Sequence, residues 1–205
     1  MFLAALFVDP DTGAGISNTR RSGWWFEGGG IYRHTRIVKA PSLNFAQNGV
    51  IARSEITWHI VNDTRKALHA RLELIATLRN QGPVAQSNIH VSFNVTDAQK
   101  KSAVEGPITT FIALVPANGT AQVSTFVELQ NPVLWTLQAP AMYTITATVE
   151  SNKDTMTVTH GIREVKFQGS KGPSCTVNGR VFKWRGFCDH NNFAVVGMAG
   201  NAIVD

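Results

Sequence analysis

Between Leu68 and Arg79 the chain alternates without a break. Leu68, Ala70, Leu72, Leu74, Ala76 and Leu78 are apolar, and His69, Arg71, Glu73, Ile75, Thr77 and Arg79 stand between them. Successive side chains of a strand point to opposite faces, whereas a helix would carry these leucines around its circumference. The period therefore predicts a long strand with one buried face. Such a strand has to lay that face against another apolar layer, so everything else in the chain is constrained to supply one.

The same period recurs on both sides. Ile56, Trp58 and Ile60 alternate with Thr57, His59 and Val61, and Asn62-Asp63 reads as a turn. Asn80-Gln81-Gly82-Pro83 breaks the long strand, and Val91, Phe93 and Val95 form the next one. Ile108 to Val115 is another, and Pro116-Ala117-Asn118-Gly119 turns the chain back into Ala121 to Leu129. Tyr143, Ile145, Ala147 and Val149 alternate again, Ser151 to Asp154 turns, and Met156, Val158 and His160 follow. About seven short strands in a stretch of this length predict a mainly β fold, an immunoglobulin-like β-sandwich. Tyr143 after Pro140 suits a tyrosine corner, in which the hydroxyl satisfies backbone a few residues upstream. No Cys-Trp-Cys pattern is present, so an antibody-type domain is excluded.

The flanks differ. Residues 9 to 30 are rich in glycine and read as loop, and Ile31 to Lys39 is predicted as a strand closed by Pro41. After Gly161, Ile162, Val165 and Phe167 belong to a connecting strand. Asn178-Gly179 signals a tight hairpin that sets Cys175 opposite Phe182. That register carries Cys188 some 20 Å further along an extended strand, beyond the reach of a disulfide. Both cysteines are expected as free thiols, compatible with a reducing compartment. Lys183 to Cys188 is predicted to continue as a strand, ending in Asp189-His190-Asn191-Asn192. The apolar start, Met1 to Val8, lacks a basic lead-in and a cleavage site and is expected to be a strand or a ragged beginning.

Charge narrows the function. The net charge is +5, but the Lys and Arg residues are scattered, and the densest run is Arg20-Arg21. Nucleic-acid binders cluster base on one face beside a reading motif, so no nucleic-acid partner is expected. No stretch approaches the ~20 apolar residues of a membrane span. The 14 acidic residues lie mostly on turns or outward strand faces, and no motif frames a pair of them as acid and nucleophile. There is no G-x-S-x-G elbow. Cys188-Asp189-His190 is the only close set of metal-type ligands, and alternation along a strand sends them to opposite faces, so no metal is expected. Gly28-Gly29-Gly30 lacks the Lys-Ser/Thr of a phosphate loop.

Two places resist a purely structural reading: Trp24-Trp25-Phe26, too many adjacent aromatics for one core face, and Trp184-Arg185-Gly186-Phe187-Cys188-Asp189-His190, an apolar strand that ends in polar groups. Here the sequence resembles glycoside hydrolase family 2, specifically its β-galactosidase members. Gly23 to Arg33 resembles the end of that family's jelly-roll sugar-binding domain. Asn131-Pro132-Val133-Leu134-Trp135 with Pro140-Ala141-Met142-Tyr143 resembles a run late in its immunoglobulin-like domain. Gly161-Ile162-Arg163 followed by Val177-Asn178-Gly179-Arg180 through Arg185-Gly186 resembles the entry to its (β/α)8 barrel.

The resemblance implies three parts: the end of a jelly roll over 1–40, an immunoglobulin-like sandwich over 41–163 and the start of a truncated barrel over 164–205. It implies a retaining enzyme that hydrolyses terminal β-galactosides, uses no cofactor and carries its two catalytic glutamates late in the barrel, beyond Asp205. The chain alone is then expected to be inactive, with a β-galactoside or other glycan as partner once a barrel is supplied in cis or in trans. The resemblance assigns substrate binding to His190, Arg185 and Trp24 and no catalytic residue to this chain. The alternatives are a non-catalytic scaffold and a carbohydrate-binding sandwich.

Overall fold

The structure, a computed structural model, describes residues 31, 35–62, 64–167 and 175–186. The chain divides into two compact units, Lys39–Lys183 and a second made of Met1–Val38 with Trp184–Asp205. Among the described residues all regular structure is β, in antiparallel pairs.

The larger unit holds two sheets. In the first, β2 (Thr64–Asn80) lies between β1 (Leu43–Val61) and β5 (Gly119–Gln130). In the second the order is β4 (Ile108–Val115), β3 (Gln86–Thr96), β6 (Tyr143–Val149), β7 (Thr155–His160). Leu72, Leu74, Ala76 and Leu78 from β2 meet Val91, Phe93 and Val95 from β3 and Ile145, Ala147 and Val149 from β6, all fully buried. The alternation thus builds a two-layer sandwich whose facing sides are apolar. Burial of one such Leu or Phe is worth about 1.5–3 kcal/mol, which makes this layer the main source of stability.

The tyrosine corner is formed. The Tyr143 hydroxyl accepts the backbone N–H of Val133 at 2.9 Å, ten positions upstream. Tyr143 is itself buried, so one side chain both fills the core and fixes the loop before β6.

Several local expectations are corrected. Leu68 does not share the buried face: it is exposed, and Ala67 is buried instead. The register explains the exchange, because Thr57 pairs with His69 whereas Trp58 pairs with Ala67. Leu68 is the extra residue of a β-bulge, which reverses the alternation on either side of it. Ile75, in the outward set by sequence, is also buried. The turn at Pro116 leads into β5 as expected, carrying the chain from β4 in one sheet to β5 in the other. Ile31 and residues 35–39 form no strand, and neither do residues 182–186. Ile37 is fully exposed, and neither segment forms part of a strand among the described residues, although Phe182 keeps a backbone bond to Cys175.

Beyond the sandwich, the larger unit carries a third, small sheet: β8 (Val165–Lys166), β9 (Thr176–Val177) and β10 (Arg180–Val181). Asn178 and Gly179 both have positive φ, 51° and 78°, as a two-residue type I′ hairpin requires. Phe182 N donates to Cys175 O at 2.9 Å, the register the sequence predicts. Cys175 is a buried free thiol, and Cys188 lies outside the described residues.

Candidate functional site

Among the described residues, the stretches around Trp135, Ile162 and Asn178 that resemble the family meet at one end of the sandwich. Glu164, directly after Gly161-Ile162-Arg163, is the hub. Its carboxylate accepts Trp58 Nε1 at 3.2 Å from β1 and pairs with Arg65 Nη2 at 3.4 Å from β2 and with Lys166 Nζ at 2.9 Å from β8. Burial pushes the Glu164 carboxyl up, but hydrogen bonds from Lys166 and Trp58 and the charges of Lys166 and Arg65 outweigh it and hold it below its ordinary value. The group is therefore a permanent anion at neutral pH.

Its backbone is equally engaged. Glu164 N donates to Asn178 Oδ1 at 2.9 Å, and Asn178 N returns a bond to Glu164 O at 2.8 Å. Asn178 Nδ2 then donates to Trp135 O at 2.9 Å, and Trp135 N donates to Ile162 O at 2.9 Å. Three motif stretches, around Trp135, Ile162 and Asn178, thus close one hydrogen-bonded ring. Two glycines make the approach possible: a Cβ at Gly161 would stand 2.8 Å from Trp135 Cδ1, and one at Gly179 would stand 2.9 Å from Arg65 Cδ. Arg65 lies 4.3 Å over the Trp58 ring, and Arg163 lies 5.2 Å over that of Trp135. A groove of about 470 Å³ opens beside this ring, lined by residues that include Trp58, Arg65, Leu134, Leu137, Arg180 and Val181.

The chemistry of this cluster is positional. One carboxylate with three donors offers no second carboxylate, nucleophile or free base. Elsewhere a shallower hollow of about 230 Å³ on the outer face of the first sheet contains Glu55 and Glu73 together with Arg53 and Arg71. Glu73 pairs with Arg53 at 3.6 Å, and Arg71 pairs with Glu128 at 3.8 Å and stacks 4.0 Å over Phe126. That is a lattice of cross-strand charges on an open sheet face. Among the described residues no group of three or more His, Cys, Asp or Glu side chains is placed to hold a metal ion.

Of the residues assigned to substrate binding, Arg185 is exposed in the irregular stretch after β10. His190 and Trp24 lie outside the described residues, so the placement of the three relative to one another is not described. Sequence reasoning passed over Glu164, Trp58 and Arg65. The available signal was the position of Glu164 immediately after the Gly-Ile-Arg motif.

Comparison with known proteins supports the family resemblance. The sequence model described as "Glycosyl hydrolases family 2" matches residues 51–163. The beta-galactosidase BoGH2A of Bacteroides ovatus is 26% identical over 180 residues, a match that covers 86% of this chain and 20% of the relative. The chain therefore spans about a fifth of the length of that curated relative. Among solved structures, a beta-glucuronidase of Bacteroides uniformis superposes with a TM-score of 0.69 at 21% identity, covering 94% of this chain and 22% of its own. A beta-glucuronidase of Parabacteroides merdae gives 0.60 at 23% identity, over 83% of this chain and 20% of its own. These superpositions are likenesses of fold. Because the family pattern runs from Ile51 to Arg163, more than half of the sequence, the chain belongs to glycoside hydrolase family 2.

Proposed function

We propose that this chain is the β-sandwich scaffold of a β-galactosidase-like retaining glycosidase whose two reacting carboxylates are supplied by polypeptide outside it. The observation that carries this reading is the hydrogen-bonded ring around Glu164, in which three family stretches serve to fix a hairpin against the sandwich rather than to frame a reaction. The relation to the Bacteroides ovatus beta-galactosidase supports a β-galactoside as the substrate of the assembled enzyme. In that assembly His190 and Arg185 bind the glycone, and Trp24 lines the approach to it. Glycosidic hydrolysis needs an acid and a second carboxylate on opposite sides of the bond, and neither Glu164 nor the arginine-paired Glu73 fills such a role.

The test is a chromogenic β-galactoside assayed with the purified 205-residue chain, alone and with the remainder of a family 2 β-galactosidase added as a separate polypeptide. The expected outcome is no turnover alone and turnover on addition, lowered by His190→Ala. Turnover by the chain alone would refute the proposal.

A further inference from the structure

The outward faces of the two sheets are built differently. On the first sheet Arg53, Arg71, Glu73 and Glu128 form cross-strand ion pairs. On the second sheet every outward position along β6 and β7 is threonine, and the ladder sets them side by side: Thr144 opposite Thr159, Thr146 opposite Thr157, and Thr148 opposite Thr155. β3 continues these rows, with Asn94 beside Thr146 and Ser92 beside Thr148, and Ser92 has Thr109 of β4 on its other side. The residues between them, such as Phe93, Ile145 and Ala147, are buried in the core, so the grid faces away from it. The β7 threonines and Asn94 are exposed, and the β6 threonines are half-buried between their neighbours.

Strand preference favours β-branched residues, but it would place threonine on both sheets alike. The first sheet carries charge instead, whereas these rows carry none. Their groups are hydroxyls, each one donor with two acceptor sites, and the methyls between them. Thr146 Oγ1 and Thr157 Oγ1 lie 3.2 Å apart and share one hydrogen bond, which leaves the pair with capacity to donate and accept outward. Strands about 4.8 Å apart and alternate residues about 6.8 Å apart repeat these groups on the scale of sugar rings. At the β4 border Phe111 is 57% exposed, with the His90 ring 6.2 Å away between centroids. Glu150 follows β6 next to His90, and its carboxylate accepts Ser92 Oγ and, at 2.6 Å, Lys153 Nζ, so its charge is balanced.

We propose that this face binds a neutral glycan chain laid across β4, β3, β6 and β7, with Phe111 stacked on the apolar face of one sugar ring and the threonine rows hydrogen-bonded to the hydroxyls of the next. An uncharged grid of hydroxyls and methyls matches a ligand of the same make-up. An anionic polymer finds no lysine or arginine in these rows, and an apolar partner finds no continuous apolar surface. The site holds a chain without reacting with it, and it stands whether or not the scaffold reading above does.

Titration of the 205-residue chain with a soluble neutral β-galactan, followed amide by amide in NMR spectra, tests it. That probe follows the β-galactoside reading; glucomannan, neutral but built of other sugars, is run beside it, with polygalacturonate as the acidic counterpart. Shifts are expected along β3, β6 and β7, at roughly millimolar affinity. Thr146→Val with Thr157→Val keeps the branched shape and removes two hydroxyls, so it should weaken binding roughly tenfold. Phe111→Ala should weaken it roughly fivefold. Thr120→Val with Phe126→Ala, exposed on β5 of the first sheet, should leave it unchanged. Retained melting curves check that the variants fold. Absence of shifts at roughly 10 mM sugar with both neutral glycans would overturn the proposal. So would binding indifferent to the valine substitutions, or binding of polygalacturonate alone. Binding of glucomannan without galactan would keep the face and count against the β-galactoside reading.

Discussion

Two side chains show how much of this molecule depends on single polar contacts. Tyr143 fills the core with its ring and holds Val133 N with its hydroxyl. Tyr143→Phe keeps the ring and removes the bond, so the expected loss is about 1 kcal/mol in a denaturant titration, the net worth of one such hydrogen bond. Glu164 acts differently, because its partners come from β1, β2 and β8 at once. Glu164→Ala leaves Arg65 and Lys166 without their anion, and Arg65 Nε is already a buried donor with no acceptor. The expected result is faster amide exchange across residues 176–181, with the amides of Leu72 and Leu74 in the core unchanged. Equal acceleration in both places would show that the ring supports the whole sandwich rather than the hairpin. The same carboxyl is held below its ordinary value, so its contribution is present at neutral pH and is lost as the pH falls through the folded-state value.

At the scale of elements, the end of β2 is set by one buried amide. Asn80 is fully buried; its Nδ2 donates to Val84 O at 2.8 Å and Pro116 O at 3.2 Å, and its Oδ1 accepts Gly82 N at 2.9 Å. It ties together the end of its own strand and the turn that crosses to the other sheet. Asn80→Ala removes three bonds at about 1 kcal/mol each, so a loss of about 3 kcal/mol is expected on chemical denaturation. Asn80→Asp should fare little better, since a carboxylate donates to neither carbonyl. The strands themselves were legible in the sequence because alternation is a local signal, and the Asn178-Gly179 turn was legible because its two positive φ values demand those residues. What escaped was decided by pairing. The bulge at Leu68 depends on where β1 sits opposite it, and nothing within β2 announces it. Glu164 escaped for the same reason: Trp58 and Arg65 lie 106 and 99 positions away in the chain. Lys183 to Cys188 read as a strand from the sequence; its described part, residues 183–186, forms none, and Phe187 and Cys188 lie outside the described residues.

At the scale of the whole sandwich, the two sheets are joined along their edges as well as through the core. On one side β1 lies next to β7, and three contacts cross between the sheets there. Phe45 N donates to Asp154 Oδ2 at 2.9 Å, Asn152 Nδ2 donates to Leu43 O at 2.8 Å, and His160 Nε2 meets Ser54 Oγ at 3.0 Å. The first two sit where β1 begins and the third lies near its middle, so together they pin the seam along part of its length. His160 is the titratable member. Burial lowers its affinity for a proton below the ordinary value of 6.5, and the nearby charge of Arg163 adds to the effect. The folded chain therefore binds fewer protons at this site than the unfolded chain does. Above the ordinary value both states are neutral there, and the site contributes no pH dependence. As the pH falls below it, the unfolded state gains the proton first and folding stability declines, levelling off below the folded-state value. Denaturant midpoints measured from about pH 7.5 to about pH 5 should fall over this window, and the fall should be shallower in His160→Gln, which keeps a polar group near Ser54 without the titration. A decline of equal steepness in the variant would place the acid sensitivity elsewhere, with Glu164 and the hairpin it holds as the next site to test.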